Sequence, residues 1–179
     1  MIFYVYTTYM QKFLTNTAGF SVIQATQISA AALFLFMLSQ PLFGYLSDKL
    51  GRRACLGFSF LGGAIATWPI MNSLQKGTSV ELAFGLVLVG MLLQSGYTSI
   101  SSVVKAELFP THIRTLGVGL PYAVANAVFG GTTEYVALWF KAHGHETRFY
   151  VYASVLLAFS LFVVLLMPDT RAQSRILED

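Results

Sequence analysis

Charge is what this sequence has least of: Asp, Glu, Lys and Arg make up 11% of its 179 residues, against roughly 25% in an average soluble domain. That shortage excludes a water-solvated globular unit, and no Pro/Ser-rich linker or low-complexity stretch sets one apart. Cysteine is nearly missing too. The single Cys55 excludes an internal disulfide framework and a cysteine metal cluster. No H-E-x-x-H pair and no glycine-rich phosphate loop occurs, and Ser99, Ser101 and Ser102 have no histidine in the same stretch. An embedded enzyme would need a base beside a nucleophile or a trio of ligands, and nothing here supplies either. His143-Gly144-His145-Glu146 forms a poor metal cage in a short loop, so no metal and no cofactor are expected. No basic stretch precedes the first apolar segment and no small-residue cleavage pattern follows it, so a removable signal peptide is not expected.

Apolar residues fill the space that charge leaves. They make up 55% of the chain, and the mean hydropathy is +0.64. Residues 13–47, 54–75, 82–104 and 149–168 contain no Asp, Glu, Lys or Arg, and residues 115–140 contain only Glu134. At about 1.5 Å per residue, each run can cross about 30 Å of hydrocarbon. The expected fold is an all-α membrane protein in one domain, residues 1–179. Its spans are near 1–16, 24–47, 54–74, 81–104, 115–140 and 148–168, followed by a tail at 169–179. The first, built on the apolar start Ile2 to Leu14, looks truncated. Turns are expected at Asn16-Thr17-Ala18-Gly19, Gln75-Lys76-Gly77, Phe109-Pro110-Thr111 and His143-Gly144-His145. Pro41, Pro69 and Pro121 fall inside spans, where they kink helices that neighbours must support. Gly119, Ala123, Ala127 and Gly131 recur every four residues, a small-residue stripe suited to close helix packing. Phe149, Tyr150 and Tyr152 fit an interfacial aromatic belt.

Orientation follows from the basic residues, because short loops rich in Lys and Arg stay cytoplasmic. One set of ends carries Lys49, Arg52, Arg53, Lys105, Arg114, Arg171 and Arg175; the other carries Lys76, Lys141 and Arg148. This asymmetry places the Gly44 to Arg53 loop, the Lys105 to Arg114 loop and the carboxy terminus inside. It also accounts for the net charge of +3 without invoking nucleic acid.

Gly44-Tyr45-Leu46-Ser47-Asp48-Lys49-Leu50-Gly51-Arg52-Arg53 resembles the G-x-x-x-D-x-x-G-R-R signature of the major facilitator superfamily between its eighth and ninth helices. Glu107-Leu108-Phe109-Pro110 with Ile113-Arg114 resembles the matching loop between helices ten and eleven. More narrowly, Thr7 to Lys12, Tyr97 to Ser101, Lys105-Ala106-Glu107, Tyr122 to Gly131 and Glu134 to Leu138 resemble the 2-oxoglutarate-carrying branch of the bacterial metabolite:proton symporter family. The likeness covers nearly the whole chain. It implies the carboxy-terminal half, helices seven to twelve, of a twelve-helix carrier in the bacterial inner membrane, with a 3+3 inverted repeat, and an absent amino-terminal six-helix half as partner. The implied function is import of 2-oxoglutarate or a related organic acid with protons by alternating access. Citrate, shikimate and proline or betaine remain alternative substrates, and a six-helix unit acting as a homodimeric carrier is an alternative assembly.

In the resembling family the loop charges latch the inner gate in one state and separate in the other. The gate candidates are Gly44, Asp48, Gly51, Arg52, Arg53, Glu107 and Arg114. Gly44 would let helices pack closely, Gly51 suits a tight turn at positive φ, and Glu107 is the natural partner of Arg52 and Arg53. The alternative is that these charges only enforce topology and anchor headgroups.

Two ionisable residues fall within spans, where charge is costly and usually functional. Lys12 is a candidate to bind a substrate carboxylate or balance charge, with Tyr4, Thr8, Gln11 and Thr15 at helical spacing around it; alternatively its ammonium snorkels to the outer interface. Glu134 shares a face with Tyr122, Asn126 and Gly130. A carboxyl group in a low-dielectric setting holds its proton more firmly, which makes Glu134 the proton-coupling candidate; a structural carboxylate is the alternative. A polar stripe of Gln94, Tyr97, Thr98, Ser101 and Lys105 runs toward the inner end. The resemblance places helices seven and ten along the central path, which makes Gln94, Tyr97 and Ser101 substrate-path candidates; Asn126, on the Glu134 face, completes them.

Overall fold

In the computed structural model, which describes residues 1–167, a capping box opens the first long helix. The Ser21 side chain accepts from the Gln24 amide at 3.2 Å, and the Gln24 side chain accepts from the Ser21 amide at 3.1 Å, so two orphan donors of the first turn are satisfied reciprocally. The helix, α3 (Val22–Leu50), continues through Pro41 and ends at Gly51, whose φ of 95° a residue with a Cβ adopts only under strain. Gly51 also leads into α4 (Arg52–Ser73). Ser79 caps α5 (Val80–Thr98) by accepting from Leu82 N at 3.3 Å. A short break leads to α6 (Ser101–Glu107), and the last long helix is α9 (Glu146–Leu166). Among the described residues every regular element is helical.

Four helical stretches are long and apolar enough to cross a membrane: Val22–Leu50, Arg52–Ser73, Val80–Glu107 and Glu146–Leu166. The other two expected spans are helical rods interrupted by π turns. The first rod joins α1 (Ile2–Tyr4), a π segment at Val5–Tyr9 and α2 (Met10–Asn16); the second joins α7 (Arg114–Ala125), a π segment at Asn126–Gly131 and α8 (Thr133–Ala142). Local chemistry accounts for the interruptions. Val5-Tyr6-Thr7-Thr8-Tyr9 crowds β-branched and aromatic side chains into one turn, and Thr7 donates back to the Phe3 carbonyl at 2.7 Å. In the second rod Thr132 and Thr133 donate to the Val128 and Phe129 carbonyls beside Gly130 and Gly131. Hydroxyls that bond back in this way compete with the helical ladder. The expected span 81–104 is likewise broken at Ser99 and Ile100, where Ser99 donates to the Ser95 carbonyl at 2.6 Å. The end of the expected last span, at Pro168, and the tail with Arg171 and Arg175 lie outside the described residues.

The core forms where the first rod crosses the long helices. Tyr6, Tyr9, Met10, Phe13 and Leu14 are fully buried. Tyr9 and Phe149 pack edge to face with centroids 5.5 Å apart, as do Phe13 and Tyr150 at 6.0 Å, so the two α9 aromatics sit in the core beyond their expected place in an interfacial belt. Helix α4 lies between α5 and α9, and α5 lies between α3 and α4. The α4–α5 crossing is close because it is built from small residues: a Cβ on Gly96 would stand 2.6 Å from the Cys55 carbonyl oxygen, and one on Gly62 would stand 2.7 Å from Leu93. Two expectations are corrected here. Gly44, Gly119 and Gly131 have nothing within 4 Å of an added Cβ, so neither Gly44 nor the Gly119 to Gly131 stripe makes a close helix contact in this structure. The outward surfaces carry Phe34, Leu38, Leu42, Ile65, Leu116 and Val155, all more than half exposed, an arrangement that suits lipid as solvent.

Candidate functional site

The two rods meet beside their π segments. Asn126, at the start of the second, donates from Nδ2 to the Tyr4 hydroxyl at 3.0 Å, and an added Cβ on Gly130 would stand 2.7 Å from the Tyr4 ring. One turn further along, Lys12 Nζ donates to Glu134 Oε1 in an ion pair that joins the two rods. Tyr4, Thr8, Gly130, Gly131, Thr133 and Glu134 line a cavity of about 210 Å³ between them. A π turn adds a residue to the helical register and often marks a functional position. Gln11 departs from the expected arrangement: its amide donates to Thr26 of α3 at 2.7 Å, and it does not line the cavity. The Lys12 and Glu134 side chains are about half and one-third exposed, so the pair is exchangeable rather than locked. A site of this kind can hold an anion on the ammonium, surround it with hydroxyls, and free a carboxylate in doing so.

The tenth-helix candidates divide. Tyr97 lines a cavity of about 380 Å³ together with Tyr122, Asn126 and Phe129, and it lines a second, of about 240 Å³, together with Ser101 and Lys105. Gln94 is only 2% exposed and lines neither. It points toward α4, where Nε2 would stand 2.8 Å from a Cβ on Gly63, and neither amide atom has a hydrogen-bond partner among the described residues. Sequence reasoning missed its neighbours Ser39, Gln40 and Ser95. Ser39 and Ser95 hydroxyls lie 2.9 Å apart, Gln40 Nε2 donates to Ser95 at 3.2 Å, and Thr98 donates to Gln40 Oε1 at 2.9 Å. This clamp ties α3 to α5 just before Pro41 and just before the α5–α6 break. Gln40, an amide inside a long uncharged run and beside a proline, was the available signal.

At the basic end, Arg52 gathers the gate. Its Nη1 donates to Asp48 Oδ1 at 2.6 Å and to the Ser47 hydroxyl at 3.0 Å, while Nε faces Glu107 Oε1 at 3.7 Å. The Arg52 and Glu107 side chains are 13% and 7% exposed, so this contact is buried where the Arg52–Asp48 pair is open to solvent. Arg53 turns away and donates from Nη2 to the Leu165 carbonyl at the end of α9. Arg114 Nε donates to the Phe109 carbonyl at 3.2 Å, holding the turn before α7. Gly51 is the hinge between α3 and α4, as its φ requires.

The opposite end carries a network that was also missed. Glu146 Oε1 accepts from the Thr17 hydroxyl at 2.7 Å and from the Tyr9 hydroxyl at 3.2 Å, with Lys141 Nζ at 3.9 Å. Lys141 also donates to Thr17 at 2.5 Å. These contacts fasten the end of the first rod to the α8–α9 hairpin. Among the described residues no group of three His, Cys, Asp and Glu side chains gathers around a possible metal position.

The sequence model of the Major Facilitator Superfamily matches residues 1–178. The alpha-ketoglutarate permease of Escherichia coli (strain K12) is 55% identical over 168 residues, which is 93% of this chain and 38% of that protein. The citrate-proton symporter of Salmonella typhi is 31% identical, over 74% of this chain and 30% of that protein. The shikimate transporter of Escherichia coli (strain K12) is 24% identical, over 94% of this chain and 39% of that protein. This chain thus spans between about a third and two-fifths of the length of these relatives. No solved structure matches it.

Proposed function

The chain belongs to the major facilitator superfamily and is a multi-pass membrane protein, and from this we propose that it forms the carboxy-terminal six-helix part of a proton-coupled carrier. In this reading the two π-interrupted rods are spans seven and eleven, the four long helices are eight, nine, ten and twelve, and two sets of three helices form an inverted repeat. The basic loops face the cytoplasm of a bacterium. The substrate is 2-oxoglutarate or a related organic acid, as the names of the relatives suggest, and the remaining helices of the carrier complete the path. Neither nucleic acid nor a cofactor takes part.

One observation carries the reading: an ammonium and a carboxylate from separate rods, Lys12 and Glu134, pair beside a hydroxyl-lined cavity whose walls include residues of both π segments. Intramembrane charges mark substrate and proton paths. An arriving carboxylate competes with Glu134 for Lys12. Once displaced, Glu134 is a carboxylate without its cation in a membrane-spanning rod, a position where charge is costly, and taking up a proton removes that charge. Anion and proton are thereby bound together, which is what symport requires. At the inner end, Arg52 with Asp48 and Glu107 forms a latch that alternating access must open and close. A rocking motion needs contacts that differ between its two states, and charges that water can take over suit that purpose.

The test is uptake of labelled 2-oxoglutarate into vesicles carrying the full reading frame, with and without an inward proton gradient. Gradient-driven uptake is the expected outcome. If the vesicles ignore 2-oxoglutarate but take up citrate or shikimate, the substrate assignment falls while the carrier reading stands. If uptake of every organic acid is indifferent to the gradient, proton coupling falls.

A further inference from the structure

Among the described residues, Lys105 differs from the other cations near apolar walls in having no carboxylate beside it. Lys12 is bonded to Glu134, Arg52 to Asp48 and Glu107, and Lys141 to Glu146. Lys105 Nζ instead lies 3.8 Å over the centroid of the Tyr122 ring, and among the described residues it has no ion pair. It lines the cavity of about 240 Å³ whose other polar groups are the hydroxyls of Tyr97, Ser101 and Ser160, with Phe60, Val104 and Phe159 among the apolar walls. Tyr97 is also a wall of the neighbouring cavity of about 380 Å³, which reaches Asn126 and Tyr122. The Lys105–Tyr122 contact therefore joins a residue of one cavity to a residue of the other. On the Asn126 side lies the Tyr4 hydroxyl that borders the Lys12–Glu134 cavity.

An ammonium half-buried against apolar walls has lost part of its hydration, and the face of an aromatic ring replaces only some of that loss. A mobile anion would replace more. We propose that Lys105, with the Ser101 and Tyr97 hydroxyls, is a second carboxylate-binding station for a dicarboxylate, placed between the Lys12–Glu134 site and the basic-loop face. The Tyr122 ring holds the ammonium when the station is empty and releases it when a carboxylate arrives. A dicarboxylate suits two stations because one carboxylate can stay bound while the other is handed on. The inference rests on the carrier reading above and adds to it a binding step on one side only.

The measurement is the KM for 2-oxoglutarate presented separately at each membrane face, in right-side-out and inside-out vesicles of the full reading frame, for wild type, Lys105→Gln and Lys105→Arg. With a charged hydrogen bond lost, Lys105→Gln is expected to raise the KM at the basic-loop face about tenfold and to leave the opposite face little changed. Lys105→Arg keeps the charge and is expected to stay near wild type. The same measurements in vesicles of neutral phosphatidylcholine alone are expected to give the same difference; its disappearance there would assign Lys105 to a lipid headgroup and overturn the station. An equal effect at both faces, or none, would overturn it as well. If Lys105→Gln fails to reach the membrane, Ser101→Ala carries the test, with a smaller rise expected at the same face and no rise overturning the station. A wild type that takes up 2-oxoglutarate while the variants show no one-sided effect removes the station alone, whereas a wild type that carries no carboxylate removes the carrier reading with it.

Discussion

Lys12 can satisfy one carboxylate well, and that limit is what joins Glu134 to the substrate. If anion binding releases Glu134 to take a proton, linkage requires the reverse: lowering the pH must tighten anion binding by the same factor. Glu134→Gln is always neutral, so it should lose both the acid-enhanced affinity and accumulation against a gradient, while exchange of external for internal substrate continues. Exchange and gradient-driven uptake measured side by side on the variant will decide this; retained proton-driven accumulation would remove Glu134 from the coupling step. Arg52 makes a second residue-scale case. It is mostly buried and faces Glu107 at 3.7 Å, so Arg52→Ala removes a cation from beside a buried carboxylate, and breaking a buried pair costs roughly 3–5 kcal/mol. Glu107→Gln, by contrast, keeps the side-chain volume and removes only the charge that faces Arg52 Nε. Both variants should raise accessibility of the inner cavity to a water-soluble thiol reagent aimed at a cysteine placed at Ser101, with Arg52→Ala the less stable. Unchanged accessibility in both would mean that the loop charges serve topology alone.

At the scale of elements, helix contacts are set less by the size of the long apolar residues than by where glycine lets backbones meet. Gly96 on α5 faces the Cys55 carbonyl of α4, so Gly96→Ala puts a methyl group against backbone that cannot rotate away. Overpacking of this kind costs about 1–3 kcal/mol, and the thermal midpoint of the detergent-solubilised chain should fall. Gly119→Ala, which meets nothing within 4 Å, should not lower it, and equal midpoints for the two variants would refute the α4–α5 contact. The sequence did not show which glycines matter, because a four-residue period marks a face without saying what opposes it. Uncharged run length pointed to spans near 24–47, 54–74 and 148–168, where the structure has helices at 22–50, 52–73 and 146–166, and turn residues pointed to the breaks at Gly19, Gly77 and Gly144, since hydrocarbon thickness and turn chemistry are local constraints. The π segments were not legible, because they depend on hydroxyls bonding back within a turn and on the rod packed opposite. That also explains the site. Lys12 and Glu134 stood out as lone charges in apolar runs, but that they meet, that Gln11 turns to Thr26 instead, and that Gln94 faces Gly63 follow from how two distant rods cross.

For the molecule as a whole, the strongest constraint is which ends face which side. The Asp48 to Arg53 loop with its latch, and Arg114 in the turn before α7, lie at one end; Lys76, Lys141 and the Glu146 network lie at the other. Basic residues near the ends of apolar helices resist translocation, so the latch end should be cytoplasmic and the Glu146 end external. Cysteine labelling tests this directly. Cys55 is the one thiol of this chain and is buried, and on a background from which it and any cysteine elsewhere in the full reading frame are replaced by serine, Lys49→Cys and Lys76→Cys each supply one exposed thiol. In intact cells an impermeant maleimide should label the Lys76 position and leave the Lys49 position unlabelled until the membrane is permeabilised. Both loops flank an odd number of spans between them, α4 alone, so labelling of both from one side is incompatible with α4 crossing the membrane. Labelling of Lys49 alone would keep the helices but invert the molecule. Inversion would put the Arg52 latch at the outer face and the Lys105 station on the entrance rather than the exit of an importing carrier.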